Sequence, residues 1–217
     1  MTNRMAYQRI VGTRSHIEFL NILDEEEFDS PDRTMGILRN WARQYLTEPH
    51  QDLGRAGPVC PFTGPSLERR LFWAGIVQGD NIDFSLMTKI AQDMADIFPE
   101  LSPSDGKDAI FKAILAIFPD LTDFSIIDAV QSYGKSTFIN KGLMLGQFYP
   151  GCTRPGLWND DFKPLDAPLP MLAVRHMVST DYPFLTERSE WMAAYLKRFA
   201  PTVPSPARAY IVSKLES

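Results

Sequence analysis

The side chains with the most versatile chemistry in this sequence are its three histidines and two cysteines. They are His16, His50, His176, Cys60 and Cys152. Three histidines are too few for a dedicated three-histidine metal site unless carboxylates or a cysteine assist, and two cysteines form neither a four-cysteine zinc site nor a disulfide framework. Any reaction that needs an imidazole must therefore use one of these three, and no role is predicted for His16.

Cys60 lies in a segment rich in glycine and proline, residues 49–66, which predicts a structured loop. Pro61 follows it, so the next residue lacks a backbone N–H and has a fixed backbone angle. This leaves the thiol at the end of a rigid turn, a place that suits a metal ligand, a haem-iron ligand or a nucleophile. The alternative is a small, inert residue buried under the loop.

His176 falls near the end of a predicted strand, residues 171–178. Because side chains alternate along a strand, its neighbours divide between two faces. One face holds Leu172, Val174, His176 and Val178, and the other holds Met171, Ala173, Arg175 and Met177. A histidine among apolar neighbours is partly buried and needs a partner. That partner is either a backbone carbonyl or Asp181, or haem iron with the apolar side chains against the macrocycle.

His50 lies in the same loop as Cys60. It could act as a distal acid or base, serve as a ligand, or simply be exposed on the loop. Cys60 with His50 or His176 would form a nucleophile and its base, although no oxyanion motif accompanies them. Cys152 lies on a later loop, residues 150–169, and could approach the same pocket.

Hydrophobic periodicity and turn residues predict an alternation of helices and strands. A Ser30-Pro31 start signal precedes a first helix that ends near Pro49. Strands are predicted at 71–77, 110–118, 143–149 and 171–178, with helices at 84–98 and 126–138 and further helices from Ser189 and Ser205. Two successive strand–helix–strand units favour parallel pairing of the first three strands, whereas the fourth could run either way.

The sequence therefore predicts an α/β fold, with α+β as the alternative. We expect a single mixed sheet of about four or more strands packed with helices. Residues 31–217 are expected to form one globular domain, and residues 1–30, with the acidic run from Asp24 to Glu27, an N-terminal arm or segment. The Pro- and Gly-rich loop 150–169 is longer than compact domains usually carry without a functional reason.

Composition excludes several classes of function. The net charge is -5 and the pI is about 5.2, which argues against a nucleic-acid partner. No apolar run is long enough for a membrane helix, the first residues lack the apolar core of a secretion signal, and the few cysteines suit reduced thiols. We therefore expect a cytoplasmic protein without a membrane partner. Dinucleotide-binding, Walker, zinc-protease and serine-hydrolase motifs are missing, which disfavours nucleotide-driven chemistry.

Several motifs occur together in a recognisable order. They are LGRxGxVCPF at 53–62, GLMLGQFYP at 142–150, Asn159-x-x-Phe162-x-Pro164 and PMLAVRHMV at 170–178. Over residues 45–200 the sequence resembles an uncharacterised bacterial domain family of unknown function that is often encoded near biosynthetic genes. More distantly, its layout resembles the YqcI/YcgG-like proteins, which include haem-dependent N-oxygenases acting on guanidine or amine groups.

The distant resemblance implies a haem b cofactor with His176 as its axial ligand and Cys60 as the alternative ligand. Met144 and Phe148 would form walls, and Arg55 and Arg175 would meet the propionates. Loop 150–169 would close over the substrate. The catalytic candidates are His50, Asp160 and Asp161. His50 would be the acid or base, and the two carboxylates suit a cationic amino group on the substrate.

The expected function is a haem-dependent oxygenase that acts on the nitrogen of a small amine or amino acid in a specialised, natural-product pathway. Dioxygen and an electron donor would be its co-reactants. The alternatives are a non-catalytic haem or small-ligand binding protein, and a Cys60-dependent enzyme. A homodimer is possible, because the surplus of aromatic residues could serve an interface as well as a pocket.

Overall fold

A computed structural model describes residues 9–24, 33–203 and 205–215. Its centre is a six-stranded mixed sheet with the strand order β1-β2-β3-β4-β6-β5. The strands are β1 Ile10–Val11, β2 Glu18–Asn21, β3 Phe72–Ile76, β4 Ala113–Ile117, β5 Leu143–Phe148 and β6 Met171–His176. The predicted α/β fold with a single mixed sheet is confirmed.

Helices cover both faces of this sheet. They are α1 Thr34–Trp41, α2 Thr63–Glu68, α3 Phe84–Glu100, α4 Ser125–Asn140, α5 Ser189–Phe199 and α6 Ser205–Leu215. A π-helix, Ala42–Leu46, continues α1 without a break. The start signal at Ser30-Pro31 lies outside the described residues, as does the acidic run beyond Asp24. No helix in the described part of the chain is long and apolar enough to cross a membrane.

The order of the last three strands in the sheet differs from the order that the sequence predicts. β3 and β4 pair in parallel as predicted, but β6 lies between β4 and β5 and pairs antiparallel with both. The expected parallel pairing of β4 with β5 is therefore wrong, although the two strands still run in the same direction. The burial pattern explains the order. β6 begins with buried residues on both faces and suits an interior position, whereas β5 alternates and suits the edge.

The N-terminal segment contributes two strands to the sheet. β1 and β2 form a hairpin that pairs antiparallel with β3 at the far edge of the sheet. Phe19 and Ile22 are fully buried there, and this apolar burial attaches the segment to the sheet. The tight turn in the hairpin, Gly12 to Ser15, packs on the buried carboxylate of Asp93 in α3.

Each face of the sheet has its own apolar cluster. Leu172 and Val174 of β6 pack with α3 and α4, whereas Met171 and Ala173 pack with α1 and loop 150–169. The predicted alternation along this strand is thus confirmed. It also separates the site candidates, because His176 lies on the α3–α4 face and Arg175 on the α1 face.

Candidate ligand-binding groove

A groove of about 830 Å³ lies on the α1 face of the molecule. It runs between the α1–π helix, the loop around His50 and loop 150–169. Its lining residues are Ile37, Asn40, Trp41, Gln44, Tyr45, His50, Asp52, Pro150, Asp161, Phe162, Lys163, Asp166, Ala167 and Pro168. The volume falls within the range of roughly 300–1,000 Å³ that is usual for small-molecule sites.

Five rings form a continuous chain of contacts along this groove. Trp41 and Tyr45 stack with their ring centres 6.4 Å apart and their planes at 18°. Phe148 meets the Trp41 ring at 5.9 Å, His50 meets Tyr45 at 6.0 Å, and Phe162 lies 5.0 Å from His50. The helix produces the stack directly, because residues four apart share one face. Residues from three separate parts of the chain thus build one aromatic wall.

The charges around the groove are mostly negative. Asp52, Asp161 and Asp166 line it, against one cation, Lys163. The Lys163 ammonium donates to the backbone carbonyl of Asp160, so part of its hydrogen-bonding capacity is already used. Burial raises the pKa of Tyr45, and the charge of Asp166 raises it further, so the phenol stays neutral. The groove therefore combines aromatic faces with an excess of carboxylates.

His50 has a defined orientation in this wall. Its Nδ1 accepts a hydrogen bond from the backbone N–H of Asp52 at 3.2 Å and so caps the 3-10 turn Gln51–Leu53. In the neutral imidazole the proton is then on Nε2. His50 was predicted as an acid or base, and this arrangement makes its free nitrogen a hydrogen-bond donor rather than a ready proton acceptor.

Loop 150–169 is attached to the His50 loop by two contacts. The side-chain amide of Asn159 donates to the carbonyl of Asp52 at 2.9 Å, and Trp158 packs directly against Gly54. The side-chain Oδ1 atom of Asn159 accepts from the backbone N–H of Asp161 at 3.0 Å and so fixes that residue at the groove. Of the two carboxylates predicted on this loop, Asp161 lines the groove, whereas Asp160 contributes only its backbone carbonyl, to Lys163.

Cys60 and Arg55 serve the loop itself. The Arg55 guanidinium donates to the carbonyls of Ala56 and Val59, at 3.0 and 3.1 Å, and braces the turn that leads to Cys60. The Cys60 N–H donates to the carbonyl of Leu46, and its thiol is a half-buried free cysteine. In the described part of the chain, no hydrogen bond joins this thiol to His50 or His176, so the predicted cysteine–histidine pair is not assembled.

His176 lies on the other side of the sheet. Its Nε2 is buried without a hydrogen-bond partner among the described residues, and its ring meets Phe98 edge-on at 4.8 Å. Burial, together with the nearby charges of Lys112 and Arg198, lowers the pKa of His176 to about 4. Asp181, its predicted partner, instead forms two hydrogen bonds of 2.7 Å with Arg175.

These positions do not fit a haem bound by His176. The predicted walls, Met144 and Phe148, and the predicted propionate partner Arg175 belong to the face of the sheet opposite His176. The Nε2 atom of His176 is neutral and could ligate iron, but the Phe98 ring packs edge-on against the imidazole. The part of the chain that the structure describes also holds no group of three or more His, Cys, Asp or Glu side chains arranged for a metal ion.

Sequence reasoning identified His50, Asp161 and the neighbouring Phe148, but missed the rest of the groove. Trp41 and Tyr45 fall within the first predicted helix, which ends near Pro49, and they do pack, yet both remain partly exposed. Their four-residue spacing just before the His50 loop was the available signal. Phe162 was present in the Asn159-x-x-Phe162-x-Pro164 motif, which now proves to place it against His50.

Comparison with known proteins gives one match. Residues 35–210 match the sequence profile of a family described as Domain of unknown function (DUF6875). No curated protein and no solved structure matches the chain significantly. The match covers the groove, loop 150–169 and β6, agrees with the expected uncharacterised domain family, and carries no link to the YqcI/YcgG-like proteins. The chain therefore belongs to the DUF6875 family of domains.

Proposed function

We propose that the groove binds a small molecule that carries a cationic amino group. The observation that supports this proposal most directly is the aromatic wall of Trp41, Tyr45 and His50 together with the carboxylates of Asp161 and Asp166. Aromatic faces attract cations by about 0.5–2 kcal/mol each, depending on desolvation. Carboxylates beside them supply the opposite charge for an ammonium group.

The groove also offers hydrogen-bond donors. The Nε2 atom of His50 can supply one, since the Nδ1 atom already accepts from the backbone N–H of Asp52. Asn40 and Gln44 line the same groove and add side-chain amides. A ligand with an ammonium group and a nearby acceptor would use both kinds of group, as an amino acid or an amino alcohol does. This supports the small amine or amino acid expected from the sequence.

The proposal concerns binding and requires no cofactor. The haem-dependent oxygenase and the Cys60-dependent enzyme remain predictions, because the contacts that define the groove test neither of them. For location we propose the cytoplasm. This is supported by Cys60 and Cys152, which are both free thiols.

Binding of phenethylamine, followed by isothermal titration calorimetry, tests this function. Phenethyl alcohol is the neutral control, since it keeps the ring and replaces the ammonium by a hydroxyl group. We expect the amine to bind and the alcohol to bind at least several-fold more weakly. Trp41→Leu should weaken amine binding further by removing the central ring of the wall.

Two adjacent carboxylates provide a matched pair of variants. Asp161→Asn removes a charge that lines the groove, whereas Asp160→Asn removes an exposed charge from the same loop that does not line it. We expect a loss of affinity of about three- to ten-fold for the first variant and no change for the second. Equal effects of the two variants, or equal affinity for the amine and the alcohol, would contradict the proposal.

A further inference from the structure

A second cavity lies on the opposite face of the sheet, between α3 and α4. Its volume is about 360 Å³, which is within the lower part of the range for small-molecule sites. The lining residues are Arg14, Thr88, Ala91, Gln92, Ala95, Asp96, Val130, Tyr133, Gly134, Thr137, Phe138 and Lys141. It shares none of these residues with the groove.

Small residues line this cleft on both helices. Ala91 and Ala95 face it from α3, and Gly134 faces it from the middle of α4. Glycine is unfavourable inside a helix by about 1 kcal/mol relative to alanine. At this position a Cβ atom would lie 3.2 Å from a methyl carbon of Leu145, so the glycine lets α4 pack closely on β5. The floor is completed by Val130 and Phe138, and the cavity is apolar along much of its length.

One end of the cavity is charged, and its cations are held in place. The Asp93 carboxylate, only 1% exposed, accepts hydrogen bonds from the backbone N–H groups of Arg14 and Ser15 and from the Ser15 hydroxyl. It also accepts from the Arg14 guanidinium at 2.9 Å. The turn from Gly12 to Ser15 has no phosphate-loop sequence, and its N–H groups bind the Asp93 carboxylate of the protein itself. These hydrogen bonds hold Arg14 beside the cleft between α3 and α4.

The four charged groups at this end, Arg14, Lys141, Asp93 and Asp96, sum to zero, but both cations are exposed whereas one of the carboxylates is buried. Arg14 and Lys141 both pair with Asp96, at 2.8 and 2.7 Å. The three side chains are 41%, 43% and 47% exposed, so all three can meet a ligand. Asp93 is buried behind them. Further along the cavity, the hydroxyl of Thr88 has no hydrogen-bond partner among the residues that the structure describes. Two exposed cations and one exposed carboxylate thus lie at the mouth of an apolar slot.

We infer that this cavity binds a small organic acid, with its carboxylate against Arg14 and Lys141 and its apolar body between α3 and α4. The α4 segment from Tyr133 to Lys141 sets the length of the slot at about 12 Å, given a rise of 1.5 Å per residue. A short aliphatic or single-ring acid fits that length. The inference is independent of the amine groove, because the two sites lie on opposite faces of the sheet and share no residue.

Calorimetric titration with hexanoate tests this site. Hexanol and hexylamine are the controls, because they keep the chain and change the charge of the head group. Hexanoate is expected to bind, and both controls should bind more weakly. Lys141→Gln should weaken hexanoate binding about five-fold, and Lys89→Gln, which removes an exposed lysine of α3 outside the cavity, should leave it unchanged.

Ala95→Leu provides a second, independent variant, since it fills the slot without changing any charge. Circular dichroism of each variant establishes that it is folded. A folded Ala95→Leu protein should lose hexanoate binding while it still binds phenethylamine in the groove. The inference fails if hexanoate does not bind, if Lys141→Gln and Lys89→Gln behave alike, or if the filled slot binds hexanoate as well as the native one.

Discussion

Gly54 is packed directly against Trp158, so that a Cβ atom at position 54 would lie 2.7 Å from the Trp158 Cβ atom. The backbone carbonyl of Trp158 is equally close to that position, at 2.9 Å. Gly54 also has a positive φ of 76°, which ends the 3-10 turn that His50 caps. This glycine therefore allows two distant loops to meet and so closes one wall of the groove.

Gly54→Ala should destabilise the protein by about 2–4 kcal/mol, as measured by urea unfolding. Part of this cost is the left-handed backbone and part is the collision with Trp158. Gly151→Ala is the matched control, since its φ is 75° and no described residue lies within 4 Å of the added methyl group. It should cost only about 1–2 kcal/mol. Equal losses of stability in the two variants would mean that the close approach of position 54 to Trp158 does not contribute to the cost.

The aromatic wall shows why the groove was only partly predictable. His50 and Asp161 attract notice because their side chains have chemistry of their own. Trp41 and Tyr45 do not, since spacing alone cannot tell a ring that packs in the core from one that lines a groove. The distinction depends on loop 150–169, whose path follows from the Asn159–Asp52 and Gly54–Trp158 contacts. Such contacts between distant segments leave no periodic pattern in a sequence.

The buried carboxylate of Asp93 should make stability depend on pH. Burial by itself raises the pKa of this group, but hydrogen bonds from Ser15 and Arg14 outweigh it and hold the pKa below its usual value. A depressed pKa stabilises the fold above the unfolded value, near 4, and this contribution is lost as the pH falls further. Urea unfolding between pH 3 and pH 7 should show this loss in the native protein and less of it in Asp93→Asn.

Asp96 provides the comparison for Asp93, because it lies on the same helix and pairs with Arg14, but is 47% exposed. Asp93→Asn should cost about 2–4 kcal/mol at pH 7, because it leaves buried N–H groups and Arg14 poorly paired. Asp96→Asn should cost less than about 1 kcal/mol, as surface ion pairs do. Equal losses of stability in the two variants would mean that the turn from Gly12 to Ser15 does not depend on the buried carboxylate of Asp93.

The fold was more predictable than the site, for physical reasons. Four strands and the helices between them follow from apolar runs bounded by glycine and proline. The β1–β2 hairpin was missed because β1 has two residues and β2 four, too few for a period to show. The insertion of β6 between β4 and β5 depends on which strand buries both faces, a property of the assembled sheet.

His176 should produce a second pH dependence at higher pH. Its pKa is lowered to about 4 by burial and by the charges of Lys112 and Arg198, whereas an unfolded histidine titrates near 6.5. Between these values the unfolded chain binds more protons, so stability is complete above about pH 6.5 and falls as the pH drops toward 4. We expect a loss of roughly 2–3 kcal/mol over this interval in urea unfolding.

His176→Leu should remove most of that slope. At pH 7 the variant should be nearly as stable as the native protein, because the buried Nε2 has no hydrogen bond to lose. A double variant of the other two histidines, His16→Asn with His50→Gln, should retain the slope. The assignment to His176 is refuted if the slope disappears from the double variant and persists in His176→Leu.

Lys112 connects this titration to the end of α3. Its ammonium is buried and donates to the carbonyls of Phe98 and Leu101, at 3.1 and 2.8 Å, so it completes the hydrogen bonding of the helix C-terminus. Lys112→Met keeps the length of the side chain but removes both donors and the charge. The variant should be less stable by about 2–4 kcal/mol.

The same substitution tests the electrostatic account of His176. Because the Lys112 charge helps to lower the pKa of His176, its removal should raise that pKa above about 4, as followed by the imidazole NMR signals during a pH titration. Lys107→Met is the matched control, since it removes an exposed lysine of the same connecting segment that does not act on His176. A loss of stability without a rise in the His176 pKa would mean that Lys112 only completes the hydrogen bonding at the end of α3 and that its charge does not lower that pKa.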